Sequence, residues 1–306
     1  MLNYELSTPV VFIVFNRPEP TSKVFLEIAK AKPKKLFVIA DGPRSHVPAD
    51  TKKIAETRGI IKLVDWECEV ITNFSDINMG CKQRVSSGLT WVFEQVDEAI
   101  ILEDDCLPTP TFFRFCEELL EYYRDDLRIG MISGDNFQKC NMPDSNSYYF
   151  SKYSHIWGWA TWSNRWLENY DVNIDKWPKV RDSGLLVNFM DSKQEASYWK
   201  NIFQQVFNGE IDTWDYQWVL TNIIQGRINV MPTVNLISNI GFGEGATHTK
   251  NDNEYSNMKV EEARFPLKHP SFILRNTIAD SYTQKTMFRR PMWKHIASKI
   301  IKYFSR

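Results

Sequence analysis

AIILEDDCLP, residues 99–108, decides how the chain is read. Four apolar residues suited to a buried strand run straight into three consecutive carboxylates, Glu103, Asp104 and Asp105. A proline-bracketed turn, LPTP, closes the segment. Adjacent acids repel one another, and either solvent at an exposed turn or a cation relieves that repulsion. A carboxylate at a strand end can hold Mg2+ or Mn2+ through one or two oxygens, with a substrate diphosphate completing the shell.

On either side of this stretch the first 133 residues alternate. VVFIVF (10–15), LFVIA (36–40), CEVIT (68–72), AIIL (99–102) and IGMIS (129–133) read as strands. PTSKVFLEIAKA, the stretch from Pro48 to about Leu63, CKQRVSSGLTWVFEQV and TFFRFCEELLEYY carry helical spacing. This alternation predicts an α/β fold, a mainly parallel sheet covered by helices on both faces. Ligands of such sheets sit beyond the carboxyl ends of the strands. Three strands end in polar chemistry there: Asn16 and Arg17, then Asp41-Gly42-Pro43-Arg44, then the acid triad.

Composition narrows the classes. A hydrophobic fraction of 43% and a charged fraction of 25% are those of a globular protein, and a net charge of -1 gives no support to nucleic-acid binding. Five cysteines without a CxxC pair argue against a disulfide framework or a structural zinc, and fit a reducing compartment. MLNYELSTPVVFIVFNRPEP has no basic leader and no small-residue cleavage site, and no window reaches about 18 apolar residues. A cytoplasmic location is expected.

The set VVFIVFNRPE, LFVIADGP, NMGCKQRVSSGLTWVFE and AIILEDDCLPTPTFFRF resembles glycosyltransferases of the GT-A, nucleotide-sugar-binding class. The likeness is to the group around the Golgi α-1,3-mannosyl-glycoprotein β-1,2-N-acetylglucosaminyltransferase and to related bacterial surface-glycan transferases. That group carries Glu-Asp-Asp where most of the class carries Asp-x-Asp. The resemblance implies that Asp105 ligates Mn2+ or Mg2+, Asp104 binds the ribose and Glu103 the donor sugar. It further implies that Asp41 reads the uracil edge and Arg17, beside Asn16, holds the diphosphate. Arg84 either approaches the phosphates, braces the triad or makes a structural ion pair. Asp76 in SDINMG reads as a turn residue.

Past residue 133 the pattern breaks into short strands and Trp-rich turns, expected to form a smaller acceptor-binding and catalytic lobe over 134–270. In EIDTWDYQWVL (210–220), Asp212 is the better helix-capping candidate of the two acids, which leaves Asp215 freer. The resemblance matches Trp214-Asp215 to a Trp-Asp pair whose acid is the general base. SHIWGWATWSNRW (154–166) packs four Trp into thirteen positions, expected as core under the donor site. Gly158 is expected to let the chain pass a ligand, His155 to be a structural histidine, and one Trp to stack on acceptor sugar. ISNIGFGEGATHT (237–249) reads as a closing loop that brings His248 to the diphosphate or the metal, with Glu244 a rival base. Residues 271–306 form a tail whose end, RRPMWKHIASKIIKYFSR, has an apolar helical face flanked by Lys294, Lys299 and Lys302. It suits either docking on an anionic membrane surface, at the inner face of the cell membrane, or packing on the domain.

The resulting expectation is a metal-dependent inverting transferase that moves sugar from a UDP-sugar to a glycan or lipid-linked acceptor. The alternatives are a sugar-phosphate nucleotidyltransferase, which should show a glycine-rich basic loop that NRPEPTSK lacks, and a nucleotide-sugar-binding protein without catalysis.

Overall fold

Strand Val10–Val14 (β1) is buried at every position and lies parallel to both its neighbours, Lys35–Ala40 (β2) and Glu98–Glu103 (β4). It belongs to a computed structural model that describes residues 4–139, 146–241 and 255–288. Glu69–Phe74 (β3) joins β2 in parallel at the sheet edge. Cys106–Pro108 (β5), Ile129–Ser133 (β6), Tyr148–Ser151 (β7), Trp159–Trp162 (β8), Ile228–Pro232 (β9) and Ile237–Asn239 (β10) follow. The large sheet has eight strands in the order β3-β2-β1-β4-β8-β6-β9-β7, and β10 pairs with β5 in a small ribbon.

Side chains of successive strand residues point to opposite faces, and each face has its own helices. Val10, Phe12, Leu36 and Val38 share a core with helices Pro18–Ala31 and Pro110–Tyr123. Val11, Ile13, Phe37 and Ile39 share another with helix Gly80–Phe93 and with Trp159, Trp166, Trp214 and Trp218. Burying each such side chain contributes about 1.5–3 kcal/mol, so the alternation itself fixes the strand registers. Helices Trp177–Ser183 and Lys193–Phe207 form a third cluster around Trp177, Trp199 and Phe203, against helix Asp215–Ile224.

The central half of the sheet departs from the expected run of parallel strands. β8 pairs antiparallel with both β4 and β6 and so separates them. WATW, part of the stretch expected as core, is therefore a central strand. Strands from both sides of residue 133 share one sheet, and one core cluster runs from Leu6 to Leu267. Residue 133 thus marks a change in sequence texture within a continuous sheet. Among the described residues no helix is long and apolar enough to cross a membrane.

Candidate active site

Register brings the polar strand ends to one edge. Val14 pairs with Ala40, Ala40 with Phe74, and Ile13 with Glu103. Phe15 to Arg17, Asp41 to Arg44 and the acid triad leave the sheet side by side. Phe15, Arg17, Asp41, Arg44 and the triad line a cavity of about 540 Å³ together with Ile156, Trp157 and residues 211–216, and Asn16 is not among its lining residues.

Glu103 is the last residue of β4, while Asp104 and Asp105 form the turn after it. The Arg17 guanidinium spans both aspartates, with Nη2 on Asp104 and Nη1 2.9 Å from Asp105 Oδ2. Asp104 is buried and also accepts from the Phe15 amide at 3.3 Å. Burial, with the charges of Asp105 and Asp104, pushes the Glu103 carboxyl up to about 8. Burial raises Asp104 to about 6, against the opposing pull of Arg17. Burial disfavours the charge on Arg17, but the two aspartates outweigh it and its pKa rises.

Asp41 lines the cavity directly after β2, where its motif placed it, and its carboxylate is engaged within the protein. Its Oδ1 accepts from the amides of Gly42 (2.9 Å) and Met79 (2.9 Å), and its Oδ2 from Asn78 Nδ2 (2.9 Å) and the Gly80 amide (3.0 Å). A carboxylate offers about four lone-pair sites, so every one is taken. Asp41 holds the amides at the start of helix Gly80–Phe93 while lining the cavity.

Arg84 is buried, and its partners are acceptors at the strand ends: Ala40 O at 3.2 Å, Asn73 Oδ1 at 2.8 Å and Asn73 O. It ties β2 to β3 and bonds neither the triad nor any acid. The Asn16 amide donates to Asp50 Oδ1 at 2.7 Å, and Asp50 in turn clamps Arg44 through Nε at 2.6 Å and Nη2 at 2.9 Å. Arg44 lies over the Phe15 ring, 5.4 Å from its centroid, in the cavity wall. The hydrogen bonds from Arg44, helped by Asn16 and opposed by burial, hold the Asp50 carboxyl far below the usual carboxylate range. The sequence signal for Arg44 was its place after Asp41-Gly42-Pro43. Asp50, nine residues beyond Asp41, had none.

Further lining comes from the start of helix Asp215–Ile224 and the residues before it. Trp214 occupies the capping position, so Asp212 does not cap the helix and instead lines the cavity. Asp215 stands at the first helical position, where the helix dipole favours its charged form, and Thr213 Oγ1 donates to its Oδ1. The Cys81 thiol, pushed up by burial and then by Glu103, Asp215, Asp212 and Asp41, also lines the cavity.

Trp159, Trp162 and Trp166 are core residues, as expected; Trp157, alone among the four tryptophans, is half-buried and lines the cavity. Gly158 has φ +64, and a Cβ there would meet Ile237 Cδ1 at 2.5 Å. The close approach that requires glycine is thus to a core side chain and not to a ligand. His155 is buried 4.0 Å from Asp135, and burial drives both toward their neutral forms, His155 down to about 3. Glu244, His248 and the tail beyond residue 288 lie outside the described residues.

Neither a family model nor a curated protein matches the chain. Among solved structures, S. aureus TarS 1–349 is similar at 9% identity and TM-score 0.34, over 51% of this chain and 47% of that one. The galactosyltransferase LgtC, in complex with donor and acceptor sugar analogs, is similar at 11% identity and TM-score 0.34, over 71% of this chain and 70% of that one. UDP-glucose pyrophosphorylase complexed with UDP-glucose is similar at 9% identity and TM-score 0.26, over 47% and 61%. The chain thus spans about half of the first of these proteins, and overlap at this level does not bear on function.

Proposed function

We propose that the chain is a GT-A-type glycosyltransferase that moves a sugar from a UDP-sugar to a glycan or lipid-linked acceptor with inversion. One observation carries the reading: Arg17, the acid triad and Asp215 line a single cavity at the carboxyl ends of parallel strands. A cation-bearing end beside crowded acids suits a diphosphate, and a helix-start carboxylate in the same cavity suits a base. In transfer the acceptor hydroxyl oxygen bonds the anomeric carbon as the bond to diphosphate breaks. Asp215 takes the hydroxyl proton, and Arg17 offers its guanidinium to the departing phosphate.

The donor set fits a hard divalent cation, since its ligands are carboxylate oxygens. Gly241 lies against Asp105, where any Cβ would overlap the Asp105 carboxylate, so the chain leaves that acid its space. Among the described residues no three His, Cys, Asp or Glu side chains converge on one point. Asp105 would hold Mn2+ or Mg2+, with phosphate and water completing the shell. The ion, when bound, would neutralise charge on the leaving diphosphate. Membrane docking of the tail belongs to the same proposal and gives access to a lipid-linked acceptor.

Isothermal titration with UDP, with and without Mn2+, followed by assay of UDP release from UDP-hexoses, tests this reading. Metal-dependent UDP binding and slow UDP release are expected. A chain that binds UDP under neither condition is not such an enzyme.

A further inference from the structure

Three arginines line the cavity, and their guanidinium groups are engaged differently. Arg17 has both Nη atoms on acids, Asp104 and Asp105. Arg84 is buried and bonds Ala40 O and Asn73. Arg44 is gripped along one edge. Its Nε and Nη2 meet the two oxygens of Asp50 at 2.6 and 2.9 Å, and among the described residues its Nη1 has no hydrogen-bond partner. A guanidinium carries five N–H donors in a planar fork. The edge made by Nη1 and the second Nη2 hydrogen therefore stays open.

That open edge is held in place. Asp50 also accepts from the Arg44 backbone amide at 3.2 Å, and Asn16 Nδ2 fixes the same carboxylate at 2.7 Å. The Arg44 guanidinium carbon lies 5.4 Å from the Phe15 ring centroid, and the Phe15 amide donates to Asp104 of the triad at 3.3 Å. The Asp50 side chain is 1% exposed and that of Arg44 is 39% exposed. A ligand in the cavity can thus meet the cation but not the acid that anchors it. Two parallel N–H groups on a fixed positive plane match two oxygens of a phosphate, whereas a neutral base carbonyl would use one. Fixing the side chain beforehand also lowers the entropy lost on binding.

We propose that Arg44 is a second anchor for the donor diphosphate, gripping phosphate oxygens through its Nη1–Nη2 edge, and that buried Asp50 is the positioning residue that aims it. This rests on the UDP-sugar reading and adds to it a diphosphate contact that needs no metal. Arg17 must leave an aspartate to reach phosphate; Arg44 keeps its acid and binds with the other edge.

The test uses the full chain in EDTA, titrated calorimetrically with inorganic pyrophosphate and UDP, with uridine contact followed by saturation-transfer NMR. Arg44→Gln and Arg44→Lys should each weaken pyrophosphate and UDP by roughly ten-fold, the weight of a charge-assisted hydrogen bond. Uridine contact should stay within two-fold of wild type. The Lys variant keeps a charge beside buried Asp50, so it reports on the fork even where Arg44→Gln is unstable. Asp50→Asn removes a negative charge, which by charge alone would tighten anion binding; a positioning role instead weakens pyrophosphate and leaves uridine unchanged. Wild type that does not bind pyrophosphate, unchanged pyrophosphate affinity in Arg44→Lys, or a loss confined to uridine overturns the anchor. Tighter pyrophosphate binding in Asp50→Asn overturns the role of Asp50. Failure of the wild type to bind UDP with or without Mn2+ instead overturns the transferase reading itself.

Discussion

The Arg17 guanidinium lies across Asp104 and Asp105, 2.9 Å from Asp105 Oδ2, on the carboxylate proposed to hold the metal. A guanidinium and a divalent cation relieve the same repulsion, so donor binding with metal requires Arg17 to turn from Asp105 toward phosphate. Arg17→Ala is expected to weaken UDP binding by about 10- to 100-fold, the weight of a charge-assisted hydrogen bond. It should also make the fold more dependent on Mn2+. Thermal unfolding of both proteins with and without Mn2+ measures this, and an equal metal-induced shift in each would refute the exchange.

Asp105→Asn should abolish the Mn2+-dependent part of UDP affinity and leave the fold intact. Titration calorimetry beside circular dichroism checks both halves. Undiminished metal-dependent binding would remove Asp105 as the ligand.

Asp41 holds three backbone amides and Asn78 together. Asp41→Ala should therefore lower the unfolding free energy by roughly 1–3 kcal/mol, the cost of leaving such donors unsatisfied. The ratio of UDP to GDP affinity should not move. A collapsed ratio with unchanged urea stability would return Asp41 to the nucleobase.

Asp215→Asn should reduce transfer by roughly 100- to 10,000-fold, the usual contribution of a positioned base. Donor affinity should hold, because the base faces the acceptor. An active Asp215→Asn variant would sink the assignment and turn attention to Asp212 in the same cavity.

His155 makes stability depend on pH. Its folded pKa, about 3, lies below its ordinary value of 6.5, because burial disfavours the charged ring. The unfolded chain thus binds the proton first, and this contribution is complete above pH 6.5 and lost as pH falls toward 3. The slope approaches about 1.4 kcal/mol per pH unit. Asp135, raised by burial, acts in the opposite sense, its contribution lost as pH rises. Denaturant unfolding of wild type and His155→Leu between pH 7 and 5 separates the two. Equal slopes would show that His155 does not supply the effect.

The strands of the first 133 residues were legible because burial imposes its own period. VVFIVF, LFVIA, AIIL and IGMIS are apolar runs that suit strands covered on both faces, and each lies within a residue or two of an observed strand. Strand ends carrying Arg17, Asp41 and the triad announced a polar edge for the same local reason. What no local pattern holds is the identity of a distant partner. Arg17 meets Asp104 across 87 residues, and Asn78 meets Asp41 across 37. Only packing decided that four protein donors saturate Asp41, that Arg84 bonds carbonyls and that Asp50 aims Arg44. WATW entered the sheet between β4 and β6 because its buried side chains complete cores on both faces, a choice made by the whole sheet. Among four similar tryptophans the sequence set only the spacing; tertiary structure left one ring, Trp157, facing the cavity.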